Sequence, residues 1–283
     1  MKRLYYAILL VTLGCNKPVS DSFEIQNFTG DYAFYYKNLT TGTVIAAGES
    51  EKFHAASTMK IPVMMELYKQ QSLGVINLSD SLLVLNSFKS IVDQSTYSMD
   101  VTEDSDDDVY AMIGKKKTYL DLIKPMIQSS SNLATNILIE KAGAKQTNAY
   151  MHELGAINME VLRGVEDQKA YDLGLSNSTT AKDLAILLDK IENNSVPGSQ
   201  EMKMILKGQK WNDLIPVHLP KDVEIAHKTG SITGVHHDAA IVYSKINGPY
   251  ILVILSKNME SFEEGTKQLS RLSEAVYTYH ISQ

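Results

Sequence analysis

AAIVYSKINGPYILVIL, residues 239–255, is the stretch that decides the fold class. Two apolar runs, 239–243 and 250–255, flank the triplet Asn247-Gly-Pro249, and this pattern predicts a β-hairpin. Near the other end of the chain, the β-rich segments 31–36 and 43–47 are also separated by a turn-forming segment, and they predict a second hairpin. The two ends of the chain are therefore predicted to be β-structure.

The middle of the chain carries helical patterns with few strand signals between them. Apolar residues recur there at helical spacing, and a last helical pattern follows the second hairpin. The predicted helices span 56–68, 119–128, 132–142, 147–154, 180–191 and 261–279. Strands at both ends around a helical middle imply that the ends meet in one sheet, with the central helices forming a second lobe. A groove between two such lobes is the usual place for a small-molecule site.

The first residues are predicted to be a targeting segment. Lys2 and Arg3 precede an apolar run, 4–13, that ends in Gly14-Cys15, which indicates a signal peptide over 1–14 and a tether over 15–29 before a folded domain over 30–283. Cys15 is the single cysteine, so no intrachain disulfide can form. We expect a lipid on Cys15 and a periplasmic or membrane-tethered domain. The alternative is an ordinary signal peptide with an incidental cysteine.

Composition and charge exclude several classes of function. The chain is 44% hydrophobic and 21% charged, as in ordinary soluble globular proteins. Its net charge of −6 gives no basic surface for nucleic acid. The acidic run 103–108 lacks the glycine and glutamate of an EF-hand and is predicted to be a solvated loop. The tandem His236-His237 has no partner at metal-ligand spacing, so no metal site is expected.

The first chemical signal is Ser57-Thr-Met-Lys60. Residues three apart on a helix share a face, so the Lys60 ammonium can reach the Ser57 hydroxyl. A serine becomes a good nucleophile when a neighbouring base takes its proton, and a lysine can be that base when its pKa is lowered. Such pairs also arise by chance on solvated helices, but no other serine here has a lysine three residues later.

Two further short motifs follow in the chain. Ser130-Ser131-Asn132 precedes a predicted helix, where serine and asparagine are also common as simple N-caps. Lys228-Thr229-Gly230, followed by Ser231, combines a cation, a hydroxyl and a glycine that allows close approach to the backbone. That combination suits a ligand carboxylate, and the alternative is a surface turn.

In this order, the three motifs resemble those of the penicillin-recognising serine hydrolases, specifically the class A β-lactamases. The resemblance covers roughly residues 30–283. It implies an α+β fold of the β-lactamase/transpeptidase type (an α/β sandwich), with an antiparallel sheet flanked by helices and an all-helical lobe. It also implies a monomer with a β-lactam as its small-molecule substrate and no cofactor.

The resemblance also implies a role for each motif residue. Ser57 would attack the lactam carbonyl while Lys60 accepts its proton, directly or through a water held by Glu166. Glu166 would later activate the water that releases the acyl-enzyme. Ser130 would transfer a proton to the leaving nitrogen, and Asn132 would bind the side-chain amide of the substrate. The substrate carboxylate would be bound by Lys228, Thr229, Gly230 and Ser231. The backbone N–H groups of Ser57 and Ser231 would hold the oxyanion.

The sequence departs from the family pattern after Glu166. Ala170 stands where the family has an asparagine that helps hold the water, and Asn177 stands near the place of an aspartate that pairs with an arginine. No arginine follows the third motif at 235–238, where His236 or His237 is a weak substitute. Two alternatives therefore stay open: a penicillin-binding D,D-peptidase or esterase, and a non-catalytic binding lipoprotein.

Overall fold

The computed structural model describes residues 23, 25 and 28–283. Its elements in chain order are β1 (Asp31–Asn38), β2 (Val44–Ala47), β3 (Phe53–His54), α1 (Lys60–Ser72), β4 (Ser81–Leu83), β5 (Phe88–Lys89), β6 (Thr96–Tyr97), β7 (Lys116–Thr118), α2 (Tyr119–Gln128), α3 (Asn132–Ala142), α4 (Ala144–Glu153), α5 (Gln168–Asp172), β8 (Ser178–Thr179), α6 (Ala181–Glu192), α7 (Ser199–Lys207), β9 (Glu224–Ile232), β10 (Val235–Tyr243), β11 (Pro249–Lys257) and α8 (Phe262–Ser282). Short 3₁₀ turns span Ala56–Met59, Val101–Glu103 and Tyr110–Met112.

Strands from both ends of the chain form one antiparallel sheet, in the order β2-β1-β11-β10-β9. The first strand pairs with the last along its whole length, from Asp31 opposite Lys257 to Asn38 opposite Tyr250. Both predicted hairpins are present, and the predicted meeting of the chain ends is confirmed.

The sheet is covered on both faces, which explains why its strands are apolar at consecutive positions. Ala239 and Ile241 of β10 face the core shared with α1 and the central helices. Ala240 and Val242 face the opposite core, where they pack with α8 residues such as Leu272. Successive strand residues point to opposite faces of the sheet. A strand that is buried on both faces therefore carries apolar residues at consecutive positions instead of alternating apolar and polar ones. The α+β fold with a helix-flanked sheet is confirmed.

The helices α1 to α4 form the second lobe, with α3 in contact with α1, α2 and α4. Local sequence sets where these helices start. Thr118 and Asp121 form a capping box at α2. Ser131 caps α3 by accepting a hydrogen bond from the Ala134 N–H at 3.2 Å. The predicted bounds of α2 and α3 are confirmed, and α4 begins three residues earlier than predicted.

The structure differs from the sequence prediction in two places. The helix predicted over 56–68 starts as the 3₁₀ turn Ala56–Met59 and becomes α-helical at Lys60. The helices α5 and α7 were not predicted, because each is short and its apolar residues complete too few turns to give a clear period. Among the described helices, none is both long and apolar enough to span a bilayer.

Candidate active site

Ser57 lies in the 3₁₀ turn that precedes α1. The residue before it, Ala56, has a φ of +44°, a backbone conformation that a residue with a side chain rarely adopts. Strain of this kind costs about 1–3 kcal/mol and is held in place by the surrounding structure. Ser57 is half-buried and lines a cavity of about 650 Å³ together with Asn132, Glu166 and Ser231.

Strand β9 passes directly against the backbone of the Ser57 turn. A Cβ atom at Gly230 would lie 3.0 Å from the Ser57 amide nitrogen and 3.1 Å from that of Thr58. These neighbours are backbone atoms, so a side chain at this position would force β9 and the turn apart. The glycine of the third motif is therefore required by close packing of the strand against the candidate nucleophile.

Lys60 is completely buried, and its ammonium binds the second motif. It donates to the main-chain oxygen of Ser130 at 2.6 Å, to the Ser130 hydroxyl at 3.1 Å and to Oδ1 of Asn132 at 3.0 Å. Within the described chain, these acceptors replace the expected contact with the Ser57 hydroxyl. Burial lowers the pKa of Lys60 to about 7, against the opposing effect of the Asp104 and Glu166 carboxylates.

The Ser130 hydroxyl lies between two lysines. Lys228 donates to it at 3.0 Å and also to the carbonyl of Thr229 at 2.8 Å. Lys228 is completely buried, and this burial, with the neighbouring Lys60 charge, lowers its pKa well below the ordinary value. Ser130 itself has a φ of +65°. One hydroxyl in contact with two ammonium groups is suited to passing a proton.

Glu166 faces the same groove from the loop that follows α4. Its Oε1 accepts a hydrogen bond from the Asn132 side-chain amide at 3.2 Å. Partial burial raises the pKa of Glu166, with the Asp104 and Glu103 carboxylates adding to the effect. Like Ala56 and Ser130, Glu166 has a positive φ, of +61°. A carboxylate with a raised pKa beside the candidate nucleophile is suited to taking a proton from water.

The loop between Arg163 and Asn177 is held differently from the family pattern. The Asn177 side-chain oxygen accepts from the N–H groups of Leu162 at 2.8 Å and Arg163 at 3.1 Å, and its nitrogen donates to the Arg163 carbonyl at 3.0 Å. Ala170 is completely buried in α5, whereas Gln168 lines the cavity. Asn177 therefore anchors the backbone of the loop, and Ala170 offers no polar group to the cavity.

The remaining residues of the third motif continue along β9. Thr229 is buried, and Ser231 lies exposed in the cavity. The motifs predicted from sequence thus meet around one groove. Cys15 lies outside the described residues.

The histidines of β10 cannot replace a carboxylate-binding arginine. His237 is completely buried, where its Nδ1 accepts from the Ser256 N–H and its Nε2 donates to the His54 carbonyl. Burial lowers the pKa of His237 to about 4, so it is neutral at pH 7. His236 is also buried and contacts the Thr266 hydroxyl at 2.8 Å. The expectation that either could substitute for the arginine was wrong, because both rings are engaged inside the fold.

The acidic run 103–108 was predicted to be a solvated loop, and this was wrong for two of its residues. The Asp104 carboxylate accepts hydrogen bonds from the N–H groups of Asn132 and Leu133, and the buried Asp106 accepts one from the Ser129 hydroxyl. These contacts cross more than 20 residues of sequence, so no local pattern announces them. No group of three or more His, Cys, Asp or Glu residues in the described part of the chain is arranged to hold a metal.

The chain belongs to the β-lactamase enzyme family, whose model matches residues 18–280. It is 25% identical over 240 residues to Beta-lactamase 1 of Bacillus cereus, a match covering 82% of this chain and 74% of that relative. The structure is similar to that of PBP-A, with a TM-score of 0.79, 24% identity, and coverage of 94% of this chain and 96% of that one.

Two further structures are similar. A PBP-A variant in an acyl-enzyme complex with penicillin-G has a TM-score of 0.76 and 26% identity, with coverage of 94% of this chain and 95% of that one. A β-lactamase from Sphaerobacter thermophilus has a TM-score of 0.74 and 21% identity, with coverage of 89% and 91%. Family membership and these relatives support serine β-lactamase or PBP-like activity on β-lactams.

Proposed function

We propose that this protein is a class A β-lactamase that forms an acyl-enzyme on Ser57 and hydrolyses it with a water activated by Glu166. The observation that carries the proposal is the position of Glu166, which lines the same cavity as Ser57 and is held by Asn132 at 3.2 Å. A second base beside the nucleophile is what separates hydrolysis of an acyl-enzyme from its mere formation.

In the first step, the Ser57 oxygen attacks the carbonyl carbon of the lactam ring. Its proton passes to Lys60, directly or through a water held by Glu166, and the lowered pKa of Lys60 leaves much of the amine free to accept it. The oxyanion is held by the N–H groups of Ser57 and Ser231, a term worth about 3–4 kcal/mol for each donor. The C–N bond of the ring then breaks, and Ser130 gives a proton to the nitrogen, which Lys60 or Lys228 restores.

In the second step, Glu166 takes a proton from water, which attacks the ester carbonyl. The C–O bond to Ser57 then breaks, and the Ser57 oxygen regains a proton from Glu166. Asn132 holds both the Glu166 carboxylate and, through Oδ1, the Lys60 ammonium. Lys228, Thr229 and Ser231 are proposed to bind the substrate carboxylate, since Lys228 supplies the positive charge of β9 at this point of the groove.

The test compares acylation with turnover. Purified protein mixed with a chromogenic cephalosporin should hydrolyse many equivalents, and intact-protein mass spectrometry with a penicillin should show one adduct that is absent from Ser57→Ala. An adduct on Ser57→Ala would remove the nucleophile assignment. Absence of any adduct on the wild type would favour the non-catalytic binding lipoprotein.

A penicillin-binding D,D-peptidase is the second candidate, and the burial of Ala170 favours it. Where the family has an asparagine whose amide helps hold the hydrolytic water, this chain has only the buried methyl group of Ala170. In that case the protein should release a single stoichiometric burst from the cephalosporin. It should also cleave a peptide that ends in D-Ala-D-Ala.

We also propose export and a lipid on Cys15, supported by the charged and apolar residues 2–13 before Gly14-Cys15. Cells grown with a palmitate analogue should label the wild type but not Cys15→Ser. A Cys15→Ser variant that stays labelled and membrane-bound would place the anchor elsewhere.

A further inference from the structure

The acidic segment 100–108 contributes a carboxylate to the start of α3, where Asn132 lines the catalytic groove. Both carboxylate oxygens of Asp104 lie 2.9 Å from the backbone nitrogen of Asn132, and Oδ2 also lies 2.9 Å from the backbone nitrogen of Leu133. Asp106 accepts a hydrogen bond from the Ser129 hydroxyl, one residue before Ser130. The segment therefore contacts the second motif on both sides of Ser130.

These contacts satisfy groups that a helix cannot satisfy itself. The first N–H groups of α3 have no partner within the helix, and they carry the positive end of its dipole. Ser131 caps the third of these positions, at Ala134, while Asp104 covers the first two. A carboxylate at a helix N-terminus is favourable in both hydrogen bonding and charge, so this contact fixes where Asn132 begins the helix.

The position of Asn132 in turn fixes the acylating base. Its Oδ1 accepts from Lys60 at 3.0 Å, and its Nδ2 donates to Glu166 at 3.2 Å. Asp104 thus holds the backbone of the residue whose side chain joins the two candidate bases. Its negative charge also lies near enough to favour the Lys60 ammonium.

We propose that Asp104 is a positioning residue for acylation, which holds Asn132 through its backbone N–H and sets the charge balance around Lys60. This inference rests on the proposed lactam acylation. In this proposal Asp104 does not contact the substrate, and it acts through Asn132 and Lys60.

The direction in which the Asp104 charge changes the pKa of Lys60 follows from the groups around this lysine. The groups that face Lys60 are Ser130 and Asn132 at the start of α3, Glu166 from its loop, Asp104 from the acidic segment, and Lys228 from β9. Asp104 and Glu166 raise the pKa of Lys60, whereas its burial lowers it. Removing the Asp104 charge should therefore lower the pKa of Lys60 further. The low-pH limb of the acylation rate should move to lower pH.

The test uses Asp104→Asn, which keeps one acceptor oxygen but removes the charge, and Asp104→Ala, which removes both. Asp107→Asn is the matched control, because Asp107 lies in the same segment, is exposed, and makes no side-chain hydrogen bond within the described residues. Acylation by a penicillin is measured by rapid-quench mass spectrometry across pH 5–9. Amide hydrogen exchange at Asn132 and Leu133 is followed by nuclear magnetic resonance, and thermal unfolding checks that each variant is folded.

Asp104→Asn should shift the acidic limb to lower pH, while Asp104→Ala should also slow acylation about ten-fold and speed exchange at both amides, on the scale of a lost charged hydrogen bond. Asp107→Asn should match the wild type. Folded Asp104 variants with an unshifted limb, or with wild-type exchange at both amides, would overturn the inference. If the wild type itself does not acylate, the proposed function fails, and the exchange data still decide whether Asp104 holds the start of α3.

Discussion

The Asn132 side-chain amide donates a hydrogen bond to Oε1 of Glu166 at 3.2 Å. The same amide accepts from Lys60 through its oxygen, at 3.0 Å. Asn132 therefore links the lysine proposed to act in acylation with the glutamate proposed to act in deacylation. The amide nitrogen binds Glu166 and the amide oxygen binds Lys60. We therefore expect substitution of Glu166 to affect deacylation and substitution of Lys60 to affect acylation.

Replacing Glu166 by Ala should leave acylation measurable and make the covalent adduct persist. Only the second step needs a water deprotonated beside the ester, so the cost should fall on turnover, by a factor of about 10²–10⁴. Intact-protein mass spectrometry over minutes after mixing with a penicillin measures this directly. Wild-type turnover in Glu166→Ala would make Glu166 a simple loop residue and move the peptidase interpretation ahead.

The rate of acylation should rise with pH through about 7. Burial lowers the pKa of Lys60 to about 7, and only the neutral amine can accept the Ser57 proton. Below that pH the neutral fraction falls about ten-fold for each pH unit. Loss of the Lys228 charge should weaken binding of the substrate carboxylate, and burial lowers the pKa that governs this loss well below the ordinary lysine value.

Rapid-quench acylation rates from pH 5 to 10 test this profile. Lys60→Ala should be slower by a factor of about a hundred or more, with the limb near pH 7 lost. A wild-type profile that is flat between about pH 5 and 8 would exclude Lys60 as the acylating base.

The sheet was predictable because its evidence is local. Residues 239–255 contain two apolar runs and a turn triplet, and they form the pairing of β10 with β11. The short motifs were also visible, since Ser57 and Lys60 are close in sequence, and the fold brings Lys60 and Lys228 to the Ser130 hydroxyl.

The contacts that sequence did not reveal are long-range and lack a motif. Any carboxylate can cap the start of a helix, so nothing in the acidic run marked Asp104 as the partner of Asn132. The burial of His237 was similarly hidden, because a polar residue on a strand gives no sign that His54 of β3 and Ser256 of β11 will satisfy both ring nitrogens.

Gly230→Ala should reduce acylation strongly while leaving the protein folded. The added Cβ would lie 3.0 Å from the Ser57 amide nitrogen, and a backbone neighbour can move away only by opening the gap between β9 and the Ser57 turn. Both proposed oxyanion donors lie at that gap, so the loss should approach the factor of about 10²–10³ seen for one donor. Acylation rates and thermal unfolding measured together check this, and wild-type acylation would show that the turn has room to adjust.

The buried side chain of Asn177 makes three hydrogen bonds to the backbone at Leu162 and Arg163. Asn177→Ala leaves these backbone groups without partners, at a cost of about 2–4 kcal/mol. The melting temperature should fall by about 5–12 °C. The exposed Asn193→Ala is the control, since its one side-chain hydrogen bond, to Asp189, lies at the surface and should be worth less than about 0.5 kcal/mol.

Asn177→Asp separates hydrogen bonding from charge at the same position. The carboxylate keeps the two accepted hydrogen bonds and loses the one donated to the Arg163 carbonyl. It also adds a negative charge beside the backbone of Arg163, a cationic residue that is only 7% exposed and forms no ion pair with the described residues. Because a buried cation gains from a nearby anion, Asn177→Asp should lose less stability than Asn177→Ala. Chemical denaturation of both variants measures the difference, and a larger loss for Asn177→Asp would show that the donated hydrogen bond outweighs the added charge.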